Sequence, residues 1–417
     1  MEYTARYLVK VEPGANNNKW YRCEPHGETW TASWGRVGNE GQSKDYPRSQ
    51  YEKKLNEKLK KGYKDQTELI QDLIVETKAE KNLGTASIAD VDVRKIVEHL
   101  MAYAKAKVAE SYKVTSDQTT QAQCDRAQEL LNSLAENAAK LSLKEFNQKL
   151  IEVFTVIPRR MQHVQDFLAD ENDRKHGYER IMQREQDTLD SMKSLIKHVD
   201  KAAKSEEDEK AAGEAAPADF LKDKGLEISV CSDEDVANIK NHLGNTLRPK
   251  FKRAWRVTNV KTQKAYDRFC ADNKIDKTGQ KLYWHGSRNE NWWSILQTGL
   301  VLRPTNAVIT GKMFGYGLYM ANKAMKSYGY TSGRGSCWAR GNSNTAILAV
   351  MQCAEGKAYR TKHHSSEFYT YDWKKLQAAH PGCHSLFAEG GADLRNDEII
   401  VYRQEQVTIK YLVELEG

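Results

Sequence analysis

The chain has 417 residues, enough for two or three domains, and its 39% apolar content suits globular units with ordinary cores. No run of about 20 apolar residues occurs, which excludes a membrane-spanning helix of usual length, and the formal net charge of +7 is compatible with an anionic partner without requiring one. The seven cysteines (Cys23, Cys124, Cys231, Cys270, Cys337, Cys353, Cys383) are scattered, odd in number and free of CxxC or CxxH spacing, a pattern that fits a reducing intracellular compartment and no structural zinc or other metal.

In chain order, residues 1–10 carry Glu2 and no apolar run, so no secretory leader is expected. Residues 3–11 alternate apolar and polar side chains, the pattern of a half-buried strand. Asn16, Asn17 and Asn18 mark a turn before Trp20, and 30–37 reads as a further strand closed by Gly38-Asn39. Residues 51–61 predict a basic amphipathic helix, with Gly62 as its C-cap. From about Ile88 to Val199 the apolar spacing turns helical, beginning with Val93, Ile96, Val97, Leu100 and Met101. Ser142 and Glu145 form a capping box ahead of a helix with Phe146, Leu150, Ile151 and Phe154 on one face, stopped by Pro158. Met182, Leu189, Met192, Leu195 and Ile196 continue the bundle pattern. Residues 201–218, rich in Lys, Glu, Ala and Gly, read as a linker. Strands then return at 226–230, 346–351, 398–402 and 407–415, and no repeat of fixed period is visible.

Three passages in the last region carry chemistry. In the first, an apolar strand, Leu282-Tyr283-Trp284, ends in His285-Gly286-Ser287. Gly286 has no Cβ, so its backbone can face a planar group directly, although a histidine at a strand end is more often structural. In the second, Thr310 to Tyr319 contains Gly315 and Gly317 and runs into Lys326-Ser327-Tyr328-Gly329-Tyr330. The glycine spacing does not match a dinucleotide fingerprint. The aromatics fit either stacking on a flat ring or core packing. In the third, Asp397-Glu398 heads the apolar run Ile399-Ile400-Val401-Tyr402, where a carboxylate is equally a solvated strand end.

Taken together, Trp-His-Gly-Ser, Gly-x-Gly-Leu-Tyr followed by Lys-Ser-x-x-Tyr, and Asn-Asp-Glu-Ile-Ile-Val-Tyr, in that order, resemble the catalytic domain of the poly(ADP-ribose) polymerase family over roughly 217–417. Trp34-Gly35-Arg36 resembles the WGR domain found beside that domain. The helical stretch, with Phe154-Thr-Val-Ile-Pro158, is similar to the family's regulatory helical domain. The match is to the shorter DNA-dependent members, without zinc fingers or a BRCT domain. The resemblance implies an α+β multidomain chain: a β-rich WGR domain over 1–80, an all-α regulatory bundle over 88–205, and an antiparallel two-sheet ADP-ribosyltransferase domain over 217–417.

The resemblance also implies roles. His285, Tyr319 and Glu398 form the catalytic triad, and NAD+ is the substrate. Gly286 backbone groups and the Ser327 hydroxyl hold the nicotinamide amide, Tyr330 and Tyr319 flank its ring, His285 binds the adenine-side ribose with Ser287 close by, and Lys326 supports Glu398. Trp34 and Arg36 bind DNA strand breaks, and acceptor proteins, the enzyme itself included, receive ADP-ribose. Nuclear residence is expected in a eukaryote and a cytoplasmic one otherwise. Arg303, with Val301 before it, departs from the family's usual arginine position on the adenine side. Lys312 and Asn396 stand where aromatic residues are common on the acceptor side. Polymer formation is the leading reading, with mono-ADP-ribosylation of protein or nucleic-acid ends, or a catalytically weak DNA-break scaffold, as alternatives.

Overall fold

The computed structural model describes residues 3–70, 84–112, 119–196, 219–302, 313–336 and 341–417. The linker read at 201–218, and Arg303, Thr310, Gly311, Lys312 and Cys337, lie outside the described residues. Packing divides the chain into two units: the first is drawn from 1–81 and 105–200, the second from 82–104, 201–305 and 311–417. The β-rich region and the helices after Ala104 thus share one unit, while Asn82–Ala104 belongs with the C-terminal one.

In the first unit, β1 (Arg6–Glu12), β2 (Asn17–His26), β3 (Thr29–Arg36), β4 (Gln42–Pro47) and β5 (Lys64–Asp65) form an antiparallel sheet ordered β4-β3-β2-β1-β5. Alternation buries Leu8, Tyr21, Cys23, Trp30 and Ala32 on one face, where they meet Tyr51 and Leu55 of the helix Tyr51–Lys60. That helix ends at the expected place, with Gly62 at a positive φ of 84° that only glycine adopts cheaply.

The asparagine run departs from the expected turn. Only Asn16 takes a turn conformation, at φ 46°. Asn17 and Asn18 belong to β2, paired with Glu12 and Val11. Asn18 is fully buried, and its amide donates to the Arg159 carbonyl at 3.0 Å. A tertiary acceptor, invisible in the local sequence, makes a polar residue acceptable inside a strand.

The rest of this unit is helical, with Gln121–Asn137, Leu143–Val156, Glu171–Lys175 and Glu179–Leu195. The predicted capping box is formed at Ser142 and Glu145, and a second one closes at Thr120 and Gln123. Phe146, Leu150 and Phe154 are fully buried in one core with Leu131, Leu134, Leu189 and Met192, and Ile151 packs at its edge. Phe146 stacks on Tyr178 with 3.8 Å between ring centres. Within the core, Arg159 and Glu185 form an ion pair with both side chains almost wholly buried.

The second unit contains two sheets. One consists of β6 (Leu226–Val230), β7 (Phe251–Asn259), β8 (Gln280–Gly286), β10 (Thr345–Ala354) and β14 (Val407–Glu416), antiparallel in the order β6-β7-β14-β10-β8. The other runs β11-β12-β13-β9, built from β9 (Leu318–Met320), β11 (Ala358–Thr361), β12 (Ser385–Ala388) and β13 (Glu398–Val401). Its β11–β12 pair is parallel and the others antiparallel. A parallel pair needs a crossover, and the chain between them supplies one that carries the helix Trp373–Ala379. The nearly continuous burial of β10 and β13 identifies them as strands covered on both faces. Among the described residues no helix is long and apolar enough to cross a membrane.

Phe154 fills the middle of the bundle core at 0% exposure. Phe154→Ala is expected to lower the unfolding free energy of the first unit by about 3–5 kcal/mol. Urea titration followed by circular dichroism reads this, and a loss well under 1 kcal/mol would mean that the site collapses or is not core.

Candidate active site

The two sheets of the second unit meet where Trp284, near the end of β8, pairs with Ala321, just past β9. Trp284 N–H donates to the Ala321 carbonyl at 2.8 Å and Ala321 N–H returns the bond at 2.9 Å. That junction sets the next residue, His285, against β9, and its Nδ1 lies 3.1 Å from the Tyr319 carbonyl oxygen. A carbonyl can only accept, so Nδ1 carries the proton and Nε2 is left as an acceptor. Burial pushes the His285 imidazole below its ordinary value of 6.5 and the bond to Tyr319 pulls the other way, with burial the larger effect. The ring is therefore neutral near pH 7, suited to accepting a hydroxyl proton rather than pairing with an anion.

The Tyr319 side chain is held by its own loop. Its hydroxyl accepts from Phe314 N–H at 3.0 Å and donates to the Gly315 carbonyl at 2.9 Å. Burial, countered by the Phe314 bond and reinforced by the Glu398 carboxylate, drives its ionisation far up, so it presents a neutral aromatic face. The glycine pair before it is demanded by the packing of this loop. Gly315 sits at φ 80°, where a Cβ would fall 2.3 Å from the Tyr371 carbonyl oxygen, and a Cβ on Gly317 would fall 2.2 Å from Ile400 Cγ2.

Glu398 opens β13, two residues before Ile400, which lies directly opposite Tyr319. It is 8% exposed and ion-paired with Lys326, whose Nζ also reaches the Asn396 carbonyl at 3.4 Å. Lys326 and the buried Ser327 come from one short helix, Ala324–Tyr328. Gly286 packs backbone to backbone on this helix, so that a Cβ there would land 1.8 Å from the Ser327 carbonyl oxygen. Tyr330 follows the helix, its N–H bonded to that same carbonyl at 3.1 Å, and the residue is 43% exposed. Ser287 Oγ accepts from Asn291 Nδ2 at 3.2 Å.

The structure thus brings His285, Gly286, Tyr319, Lys326, Ser327 and Glu398 onto adjoining strand ends and one helix, with Ser287 and Tyr330 flanking. Sequence reasoning passed over three contributors: Phe314, whose backbone holds the Tyr319 hydroxyl, and Asn322 and Asp397, bonded at 2.5 Å beside Glu398. The adjacent acidic pair Asp397-Glu398 was the available signal for the last of these. Among the described residues no group of three or more His, Cys, Asp or Glu is arranged to hold a metal ion.

Trp34 and Arg36 lie on β3 in the first unit. Gly35 between them is tightly packed: a Cβ would sit 3.2 Å from both Gly41 Cα and Trp20 Nε1, so these neighbours would have to give by a few tenths of an ångström. Trp34 is half-buried and stacks with Tyr21, ring centres 6.3 Å apart. Arg36 donates to the carbonyls of Asn16 (2.6 Å), Met161 (3.2 Å) and Gln162 (2.8 Å). Beside them, Lys58 lies 4.3 Å from the centre of the Tyr21 ring, Lys54 4.4 Å from Tyr46, and Arg48 4.6 Å from Tyr3.

The depressed ionisation of His285 makes the stability of the fold depend on pH. Folding lowers its pKa, so the unfolded chain binds a proton first, and this residue's contribution to stability is complete above pH 6.5 and declines as pH falls below it. NMR titration of the imidazole in the native chain should give a midpoint below 6.5. A midpoint at or above that value overturns the neutral-acceptor assignment.

Residues 233–417 match the poly(ADP-ribose) polymerase catalytic domain family, and residues 4–69 match the WGR domain family. An uncharacterised protein, 101L, of Invertebrate iridescent virus 6 is 31% identical over 185 residues, covering 44% of this chain and 74% of that protein. Poly [ADP-ribose] polymerase 2 of Homo sapiens is 30% identical over 177 residues, 34% of this chain and 29% of the human protein. Poly [ADP-ribose] polymerase 2 of Arabidopsis thaliana is 25% identical over 379 residues, 78% of this chain. The match spans 54% of the plant protein's length, so both named polymerases are matched over less than two thirds of their own chains. With a WGR domain at one end, an NAD+ ADP-ribosyltransferase domain at the other, and the strand-end histidine, tyrosine and glutamate brought together between two sheets, the chain belongs to the poly(ADP-ribose) polymerase family.

Proposed function

We propose that this chain, when bound to broken DNA, cleaves the bond between nicotinamide and ribose in NAD+ and transfers the ADP-ribose to acceptor proteins, itself included, extending it into a polymer. The observation that carries this reading is the buried ion pair of Glu398, at the head of β13, with Lys326 of the helix Ala324–Tyr328, beside a neutral Tyr319 and a neutral His285.

Each role follows from what its side chain presents. Gly286 offers unshielded backbone and Ser327 a hydroxyl, matching the donor and acceptor of a carboxamide. The uncharged Tyr319 ring and the exposed Tyr330 ring offer flat faces for nicotinamide. His285 Nε2 accepts from a ribose hydroxyl, with Ser287 beside it. As the C–N bond breaks, its electron pair goes to the pyridinium, which leaves as neutral nicotinamide without needing a strong acid. Positive charge develops on the ribose, as in glycoside hydrolysis. The fixed Glu398 carboxylate stabilises that charge. It also takes the proton of the attacking acceptor as the new bond forms at the ribose carbon, a base contribution of about 10²–10⁴-fold. Lys326, paired with the carboxylate and bonded to the Asn396 carbonyl, keeps it oriented.

For DNA, the supporting features are the match to the WGR domain family and the row of cations over aromatic rings at Lys54, Lys58 and Arg48. A phosphate-binding surface of this kind weakens as salt rises, because bound counterions are released. Trp34 stacks on an exposed sugar or base and Arg36 pairs with phosphate in this reading. The helical region restrains the transferase until DNA is bound, and weakening its core raises activity without DNA. In a eukaryotic cell such an enzyme works in the nucleus, where its DNA lies.

Glu398→Gln is expected to keep the fold and the binding of NAD+ analogues and to lose at least about 10²-fold in nicotinamide release and chain extension. Incubation with labelled NAD+ with and without nicked DNA, followed by gel sizing, reads activity, DNA dependence and product together. A fully active variant sinks the role of Glu398, and a single sharp shift in place of a high-mass smear sinks the polymer. Arg36→Ala is expected to weaken binding to a 5′-phosphorylated break and to flatten its salt dependence. Fluorescence anisotropy over a salt series showing unchanged affinity would remove Arg36 from the DNA surface.

A further inference from the structure

We infer that Asn322 and Asp397 form a clamp that positions Glu398 for the transfer step, an inference that rests on the reading of the site given above. Glu398 is the first residue of its strand, where backbone pairing is only beginning. On one side Ala388 of β12 faces it. On the other, the ladder with β9 covers Ile399, Ile400 and Val401 and stops short of Glu398. Side chains complete the join that the backbone leaves open. Asn322 Nδ2 donates to Asp397 Oδ2 at 2.5 Å, and Gly390 N–H donates to Asp397 Oδ1 at 2.7 Å.

One carboxylate therefore ties together the start of β13, the chain leaving β9 and the chain leaving β12. Tyr319 lies in β9 just before Asn322, and Lys326 follows in the helix Ala324–Tyr328, so the clamp links the two stretches that hold the site's reactive groups. The connection 389–397 that delivers the chain to Glu398 is itself tightly tied. Glu389 N–H donates to the Thr361 carbonyl at 2.8 Å, Gly391 N–H to the Leu394 carbonyl at 2.7 Å, and a Cβ on Gly390 would fall 2.8 Å from Asn396 Cα. Lys326 closes the arrangement from beyond, reaching both the Glu398 carboxylate and the Asn396 carbonyl.

Groups that act on a developing charge must be held within a fraction of an ångström, and displacement by about 1 Å costs on the order of 10²-fold. The side-chain bonds of Asp397 go to Asn322 and Gly390, neither of them assigned to substrate binding, so it acts through Glu398 as a positioning residue. The clamp also has a polarity. Asp397 accepts from two donors, so residue 322 must donate. Asn322→Asp faces one carboxylate with another and removes the donor. Combining it with Asp397→Asn restores the bond with roles exchanged: the amide at 397 accepts from Gly390 N–H through its oxygen and donates to the carboxylate at 322 through its nitrogen.

The test is steady-state nicotinamide release by the full chain with nicked DNA, for the unsubstituted protein, N322D, D397N and N322D/D397N, with thermal melting of each. N322D is expected to lower kcat by on the order of 10²-fold, with KM for NAD+ and the melting temperature close to the unsubstituted values. The double variant should regain most of that loss, the non-additivity that marks a direct pair. N322D with full kcat, or a double variant no better than N322D, overturns the clamp, as does a fall in melting temperature that accounts for the lost rate. If the unsubstituted protein releases no nicotinamide, the transfer reading fails, and the clamp is then read from a crystal structure of N322D. Withdrawal of the Glu398 carboxylate from Lys326 is expected, and an unmoved carboxylate overturns the proposal.

Discussion

Trp284 and Ala321 exchange two backbone hydrogen bonds where one catalytic sheet meets the other, and the geometry of the site hangs on that exchange. Both residues are buried, so their polar backbone groups have to be paired, and the cost of leaving them unpaired holds the sheets in this register. A slip of one residue would turn the His285 side chain to the opposite face of β8. In the observed register His285 meets the Tyr319 carbonyl, Tyr319 lies opposite Ile400, and Glu398 follows as the head of the same strand.

Charge is handled sparingly around this joint. Burial disfavours ionised forms of both His285 and Tyr319, which leaves a polar but uncharged lining. The Glu398–Lys326 pair is the exception, with both side chains mostly withdrawn from water. Buried pairs seldom stabilise a fold on balance, because desolvation offsets most of the attraction. Retaining one at a strand end fits the role proposed for Glu398, a fixed carboxylate beside a developing positive charge.

The first unit uses backbone carbonyls as anchors instead. The stretch 159–164 is held by Asn18 at Arg159, by Arg36 at Met161 and Gln162, and by Asn16, whose side chain donates to the Gln162 carbonyl at 3.1 Å and accepts from Val164 N–H at 2.9 Å. On the bundle side, Arg159 is paired with Glu185 in the core. The arginine of Trp-Gly-Arg is therefore part of the sheet's attachment to the helices as well as a candidate for phosphate. Gly41 leaves room for the Trp20 ring, since a Cβ there would fall 2.5 Å from Trp20 Cζ2.

Much of this was legible in the chain itself. Helix and strand periodicities placed the elements they were read for within a few residues, because side-chain burial repeats every 3.6 or every 2 residues whatever the partner, while β4, β7, β11, β12 and the helices Asp233–Leu247 and Val260–Asp272 went unread. The Ser142–Glu145 cap and the Gly62 stop were readable because their chemistry is local. His285, Tyr319 and Glu398 stood out through resemblance, since no periodicity singles out a strand-end histidine. Contacts between distant segments were not legible: Asn18 buried against Arg159, Arg36 bonded to the carbonyls after the bundle's Phe154 helix, the parallel β11–β12 pair, and Asp397 joined to Asn322 and Gly390. The sequence by itself determined which residues favour helix, strand or turn and which carry reactive groups, because those properties reside in each side chain and its near neighbours. Only the tertiary structure decided which polar groups find partners, and so which of those residues share a site, because a hydrogen bond between distant segments depends on the register and packing of whole sheets.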